Sequence, residues 1–398
     1  MHHRRRAVAT LVSGLGITMI VGYGALYYAF AVTAPAIMAE FGWSRFFTYG
    51  GLSAALLAGG LTAPFAGRLF DRIGVRLPMT AGALVAALAL VVLATAQGRG
   101  GFLVGMVMVH VASTCVLYDA AFTGLSQIEG AGSRRIITIL TLVAGFSSTL
   151  FWPLTDGLVA SLGWRGTYLV YAGAMVVVCA PLHWFCLAGA AGGTRRATPA
   201  AGTTVGPGWH DTGFALLALS FGLGGFVVSV FPVYVLTILE AFGSDGPTAI
   251  FVAALIGPAQ VAARFIEMTG GRQWGAVTVG LISSVALSLS LVLVFASGES
   301  VVIALAFAFV YGAGQGLKTI AHGIVPLALF GPAGYGAVLG RLGSVRLSVS
   351  ALAPLVFAAL VDGFGMRAAL LVTLGFALGA LAAYMALLRH LAPRHLSV

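Results

Sequence analysis

Twelve apolar stretches follow one another along this 398-residue chain with little polar sequence between them. A bilayer core about 30 Å thick is crossed by about 20 helical residues rising about 1.5 Å each. On that measure the stretches predict spans at 10–37, 48–70, 77–95, 102–128, 136–162 and 167–187, then 212–239, 249–268, 277–296, 301–329, 336–361 and 367–388. Within hydrocarbon the backbone must satisfy its own hydrogen bonds, which leaves helices or closed barrels. Continuous apolar runs exclude the short alternating strands of a barrel. With 60% hydrophobic and 8% charged residues, water could not solvate such a chain as a globule. The expected fold is therefore an all-α integral membrane protein, its twelve transmembrane helices arranged as two pseudo-symmetric six-helix bundles.

Basic residues set the expected orientation, because they accumulate on the cytoplasmic side of short loops. With the N-terminus inside, Arg4, Arg5, Arg6, Arg68, Arg72, Arg76, Arg134, Arg135, Arg195, Arg196, Arg264, Arg272, Arg341, Arg389 and Arg394 fall on that side. Only Arg45, Arg99, Arg165 and Arg367 fall opposite, and Lys318 and Arg346 lie inside spans. Both termini are thus expected in the cytoplasm. The net charge of +10 reads as topology and contact with anionic lipid, and its scatter over short loops argues against a nucleic-acid partner. The opening Met1-His2-His3-Arg4-Arg5-Arg6 resembles a signal peptide, but the apolar run continues to Pro35 without a cleavage site and reads as an uncleaved first span. Cys115, Cys179 and Cys186 lie in spans as small apolar residues, and His110, His183 and His322 lack metal-site spacing. No metal or cofactor is expected. The compact, Arg-biased chain points to a prokaryotic inner membrane.

Residues 189–210, polar and holding Arg195, Arg196, Pro199 and Pro207, read as a cytoplasmic linker between an N-terminal bundle (1–188) and a C-terminal bundle (211–398). An internal repeat supports the division. The run from Pro64 through Arg68 and Asp71 to Arg76 aligns with the run from Gln260 through Arg264 and Glu267 to Arg272. Gly124 aligns with Gly323, Gly132 with Gly331, Pro153 with Pro354, and Gly163-Trp164-Arg165 with Gly365-Met366-Arg367. Weak identity at fixed offset is what duplicated transporter halves show.

The segment after the second span matches Gly-x-Leu-x-Asp-Arg-x-Gly-x-Arg through Gly67, Leu69, Asp71, Arg72, Gly74 and Arg76, with Val75 at the usually basic ninth place. Through this signature, the span count, the linker and the repeat, the whole chain resembles the major facilitator superfamily. Phe41-Gly42-Trp43-Ser44-Arg45 and Gly257-Pro258-Ala259-Gln260-Val261-Ala262-Ala263-Arg264 resemble bacterial monocarboxylate and oxalate/formate carriers. Gln260 stands where monocarboxylate carriers place an Asp, and Arg346 is the basic residue of the eleventh span where oxalate/formate carriers place a Lys. The resemblance implies transport by alternating access. Physically, Asp71 can accept hydrogen bonds from a neighbouring helix N-terminus, while Arg72 and Arg76 stay at the headgroups, which makes the signature a conformational latch. Solvated loop charges would be the plainer reading.

Charges within spans are costly, at about 2.5–3.5 kcal/mol for a lysine on insertion scales, and are expected to face a cavity or a partner. Lys318 is the only lysine of the chain, and the repeat places Asp119 as its counterpart. The pair reads either as an anion site and a proton acceptor or as a structural ion pair. Arg346 offers a planar guanidinium suited to a carboxylate. Arg264 reads as a substrate or coupling residue by family resemblance and, with Glu267, as part of a gate by the repeat. Tyr23, Tyr27, Tyr28, Tyr118, Trp152, Phe231 and Tyr234 could line a cavity, and His322 follows Lys318 by one turn as a proton relay. No Walker A loop, Gly-x-Ser-x-Gly elbow or His-Glu-x-x-His pair occurs, so no enzyme is expected. The expected function is secondary transport of a small organic anion such as a monocarboxylate, with proton coupling, by a monomer. An exporter of a drug-like or metalloid toxin and a non-transporting receptor or scaffold are the alternatives.

Overall fold

The computed structural model describes residues 2–130, 133–188, 211–270, 274–298 and 300–391. The expected linker with Arg195 and Arg196, together with Arg272, Arg394 and the side chains of Arg4, Arg5, Arg6 and Trp152, lies outside the described residues. The described residues form helices without a strand. They are α1 (His2–Tyr23), α2 (Ala29–Phe41), α3 (Arg45–Ile73), α4 (Arg76–Ala94), α5 (Arg99–Ser113), α6 (Tyr118–Glu129), α7 (Ser133–Ala144), α8 (Ser147–Ala174) and α9 (Ala180–Cys186). There follow α10 (Thr212–Ala241), α11 (Gly246–Thr269), α12 (Ala276–Ser297), α13 (Val301–Phe330) and α14 (Tyr335–Leu391). π-helical turns at Gly24–Tyr28 and Met175–Cys179 join α1 to α2 and α8 to α9.

Ten stretches among the described residues are long and apolar enough to cross a membrane, and two of these are too long for one crossing. The 57 residues of α14 would extend about 86 Å as straight helix. Each long stretch contains one non-helical residue: Gly163 at φ 68°, ψ 173°, and Gly365 at φ 83°, ψ 165°. A side chain at such φ clashes with its own backbone, so glycine is needed. Dividing there restores the expected twelve spans, and the two breaks fall at the aligned Gly-x-Arg tripeptides of the repeat.

Caps mark where spans begin. Ser44 accepts from the Phe47 amide at 3.2 Å, Asp211 from Phe214 at 2.8 Å and Asp245 from Thr248 at 3.3 Å. With Gly42 in the left-handed conformation closing α2, Phe41-Gly42-Trp43-Ser44-Arg45 is a helix stop followed by a helix start. Two expected spans are not continuous helix, the fifth turning at residues 145–146 between α7 and α8. The fourth breaks at residues 114–117, between α5 and α6, whereas its repeat counterpart α13 is unbroken.

The chain divides into two compact units, the first comprising Met1–Gly206 and Phe330–Ser344, the second Pro207–Leu329 and Val345–Val398. This differs from the boundary read in the sequence, because the start of α14 belongs with the first unit. Backbone approach explains it. A Cβ on Gly67 of α3 would fall on the Gly336 carbonyl, and one on Gly340 would stand 2.5 Å from the Ala63 carbonyl oxygen. The first unit's core is rich in alanine along α4, with Phe102, Trp164, Tyr168 and Tyr171 packed into it. Phe226, Phe231, Phe307, Tyr311 and Phe357 dominate the core of the second.

Candidate functional site

In the first unit the signature turn is held from three directions. The Asp71 carboxylate accepts from the Gly336 amide at 3.0 Å and the Ala337 amide at 2.6 Å, capping the start of α14. Charge-assisted bonds to the positive end of a helix are among the stronger polar contacts available. Gln127 of α6 donates to the Phe70 carbonyl at 2.8 Å and accepts from the Val75 amide at 3.3 Å. Arg76 donates to the Trp184 carbonyl at 2.8 Å and lies over its ring at 3.9 Å. Gly74 turns the chain at φ 77°, and Arg72 is exposed. Gln127 and Trp184 were not singled out in the sequence. Nothing local marks them, since Gln127 bonds backbone groups, and Trp184 meets a guanidinium, distant in sequence.

Asp119 lies in the first turn of α6, directly after the break in the fourth span. Its carboxylate occupies the space beside Gly343, where a Cβ would stand 2.8 Å from Oδ2. Both Asp71 and Asp119 therefore bear on the first ten residues of α14. Around the break gather Tyr23, Tyr27, Tyr28 and Tyr118, with Tyr23 and Tyr118 ring centroids 4.7 Å apart and Tyr27 and Tyr28 5.4 Å apart. Tyr27 and Tyr28 belong to the π turn, a feature that recurs at functional sites. Broken backbone at membrane depth is tolerated where protein buries it or a cavity receives it.

The second unit brings Lys318 and Arg346 together on two adjacent glycines of α10. A Cβ on Gly224 would fall on the Lys318 ammonium, and one on Gly225 would stand 3.2 Å from Cγ of Arg346 and 2.9 Å from Oγ of Ser350. Ser350 donates to the Gly225 carbonyl at 3.2 Å. The two cations act on each other electrostatically, and among the described residues neither makes an ion pair. Arg346 Nε and Gln315 Oε1 are buried without a hydrogen-bond partner among the described residues. His322 packs beside Phe221, ring centroids 5.4 Å apart. Gly224, Gly225 and Gln315 were missed in the sequence. A glycine pair and an uncharged amide inside apolar spans were the available signals.

Other candidates are placed elsewhere. Arg264, only 4% exposed, donates at 3.4 Å to the Gly316 carbonyl, Gln260 Oε1 and Thr319 Oγ1, and Glu267, 3% exposed, lies one turn away on the same helix. The bonds to Gly316 and Thr319 tie Arg264 to α13 on either side of Lys318. Tyr234 donates to the Pro354 carbonyl at 3.1 Å, and Phe231 is a core residue packed on Tyr311. Cys115 lies in the break, against Gly82. Glycines Gly312 and Gly316 let α13 approach the α11 backbone, a Cβ at either standing 2.6 Å from the carbonyl oxygen of Ile256 or Gln260.

Residues 7–316 match the family model described as Major Facilitator Superfamily. No curated protein matches the chain in sequence. Among solved structures, the human organic anion transporter MFSD10 (TETRAN) is similar with TM-score 0.70 at 17% identity, covering 96% of this chain and 99% of that one. The proton:xylose symporter XylE, bound to 6-bromo-6-deoxy-D-glucose, is similar with TM-score 0.72 at 12% identity, covering 94% of each chain. At such identities the likeness concerns the fold.

Proposed function

Because this chain belongs to the major facilitator superfamily, whose members are transporters and not enzymes, we propose that it is a secondary carrier of small organic anions that works by alternating access. The observation that carries the reading is the convergence of Lys318 and Arg346 on Gly224 and Gly225 without an ion-pair partner among the described residues. Two like charges held in an apolar surround repel each other and carry a desolvation cost. A carboxylate offsets both, accepting from the ammonium and from the planar guanidinium. A sugar would leave the charges uncompensated.

In this reading the substrate is a short carboxylate of monocarboxylate type, and Asp119 accepts the coupled proton. Asp71 on the first turn of α14 is the latch that one conformational state makes and another releases. The carrier acts as a monomer in a prokaryotic inner membrane, with both termini in the cytoplasm, where the weight of arginine lies.

The test is uptake of labelled short carboxylic acids into proteoliposomes, with and without an inward proton gradient. Wild-type uptake should rise with the gradient, Lys318→Met should abolish it, and Asp119→Asn should transport without responding to the gradient. Folded wild-type protein that moves no carboxylate would refute the reading.

A further inference from the structure

The seventh and tenth spans, α10 and α13, meet in antiparallel register: Phe231 packs on Tyr311 with centroids 4.4 Å apart, Gly224 receives the Lys318 ammonium, and Phe221 packs beside His322. The face of α13 turned toward α10 is therefore the row Tyr311, Gln315, Lys318 and His322, spaced four, three and four residues apart as one helical face requires. Two other faces of α13 are occupied at this level, Gly312 and Gly316 by α11 and Gly314 by α12. The carbonyls on either side of Gln315 are also held, that of Gly314 by Ser283 at 2.8 Å and that of Gly316 by Arg264 at 3.4 Å. Gln315 thus sits one turn from Lys318, at a Cβ separation of about 5 to 6 Å, with its Oε1 a buried acceptor that has no hydrogen-bond partner among the described residues.

We propose that Gln315 is a specificity-determining residue that accepts a hydrogen bond from the substrate, so that the preferred anion is a carboxylate bearing a hydroxyl on the neighbouring carbon. The inference rests on the anion-carrier reading. A buried acceptor without a donor is costly, and a ligand that supplies the donor removes that cost only when bound. Sites built to receive a substrate hydroxyl discriminate strongly against analogues lacking it, because their buried polar groups are then left unpaired. The donor is a hydroxyl and not an ammonium, since Lys318 and Arg346 would repel a third positive charge. The carboxylate takes the Lys318 ammonium and the Arg346 Nε hydrogen, and the adjacent hydroxyl reaches Gln315 along the α13 face.

The experiment compares proteoliposome uptake of 2-hydroxypropionate and propionate by wild type, Gln315→Met and Gln315→Leu, with detergent thermal unfolding as the check on folding. Wild type should favour the hydroxylated acid by at least about tenfold in kcat/KM, and in both variants the ratio of the two acids' kcat/KM should fall to about one. Competition between the acids on wild type alone reads the same preference should neither variant fold. Equal handling of the acids by wild type, or a preference that survives in either folded variant, overturns the assignment of Gln315 while leaving the carrier reading intact. Transport of neither acid by wild type overturns both.

Discussion

Replacing Gly224 with alanine isolates the position of the Lys318 charge from its presence. The added methyl would fall on the ammonium nitrogen, whereas Cε, 3.3 Å away, need yield only slightly. Only the flexible tip of the lysine must therefore move, and the fold loses little. Alanine in place of glycine within a helix favours the helix by up to about 1 kcal/mol, so thermal unfolding in detergent should stay level or rise. The displaced ammonium, however, forfeits its aimed hydrogen bond to the substrate carboxylate. Such charged bonds are worth about 1.5–3 kcal/mol, which at about 1.4 kcal/mol per decade corresponds to a roughly ten- to hundredfold rise in KM. Initial rates of carboxylate uptake over a concentration series, on protein of matched melting temperature, measure it. A KM within about twofold of wild type would refute the claim that Lys318 meets the substrate from its seat on Gly224, since a bond of that strength cannot be displaced at so small a cost.

The signature of the first unit yields two more expectations. Gly67→Ala sets a methyl on the Gly336 carbonyl, a clash with backbone that no rotamer relieves; overpacking of this kind costs about 1–3 kcal/mol, and a lowered melting temperature is the expected result. Asp71→Asn keeps one acceptor for the Gly336 and Ala337 amides but removes the charge from the start of α14. Transport should slow and maleimide labelling of a cysteine placed at the exposed Ala333 should quicken, while unchanged labelling would count against a latch.

Span number and much of the repeat were legible because both are written in local patterns. The apolar runs located each crossing, and the aligned tripeptides at Gly163 and Gly365 share a backbone conformation that glycine alone adopts readily. The break at residues 114–117 was not legible, since Thr114, Cys115, Val116 and Leu117 carry no proline or glycine, and the glycines that Cys115, Val116 and Leu117 pack against, Gly22 and Gly82, are distant in sequence. The membership of Phe330–Ser344 in the first unit was hidden for a related reason. Glycine-to-backbone approach leaves no hydrophobic pattern, and Asp71 reaches two amides that any residues would have supplied. Lys318 and Arg346 stood out as charges in apolar sequence, but the glycines that seat them became meaningful only once the spans were placed side by side.

The single-residue joins at Gly163 and Gly365 bear on how the chain enters its membrane. A join of one residue leaves no tether that could wait in water while a first helix settles and a second is still being synthesised. The entropy of closing so short a connection is small, so the spans on either side of each glycine meet as soon as both exist. The fifth and sixth spans, and likewise the eleventh and twelfth, are thereby built to insert as helical hairpins, and lengthening either join with a flexible segment would uncouple two steps that this chain takes as one.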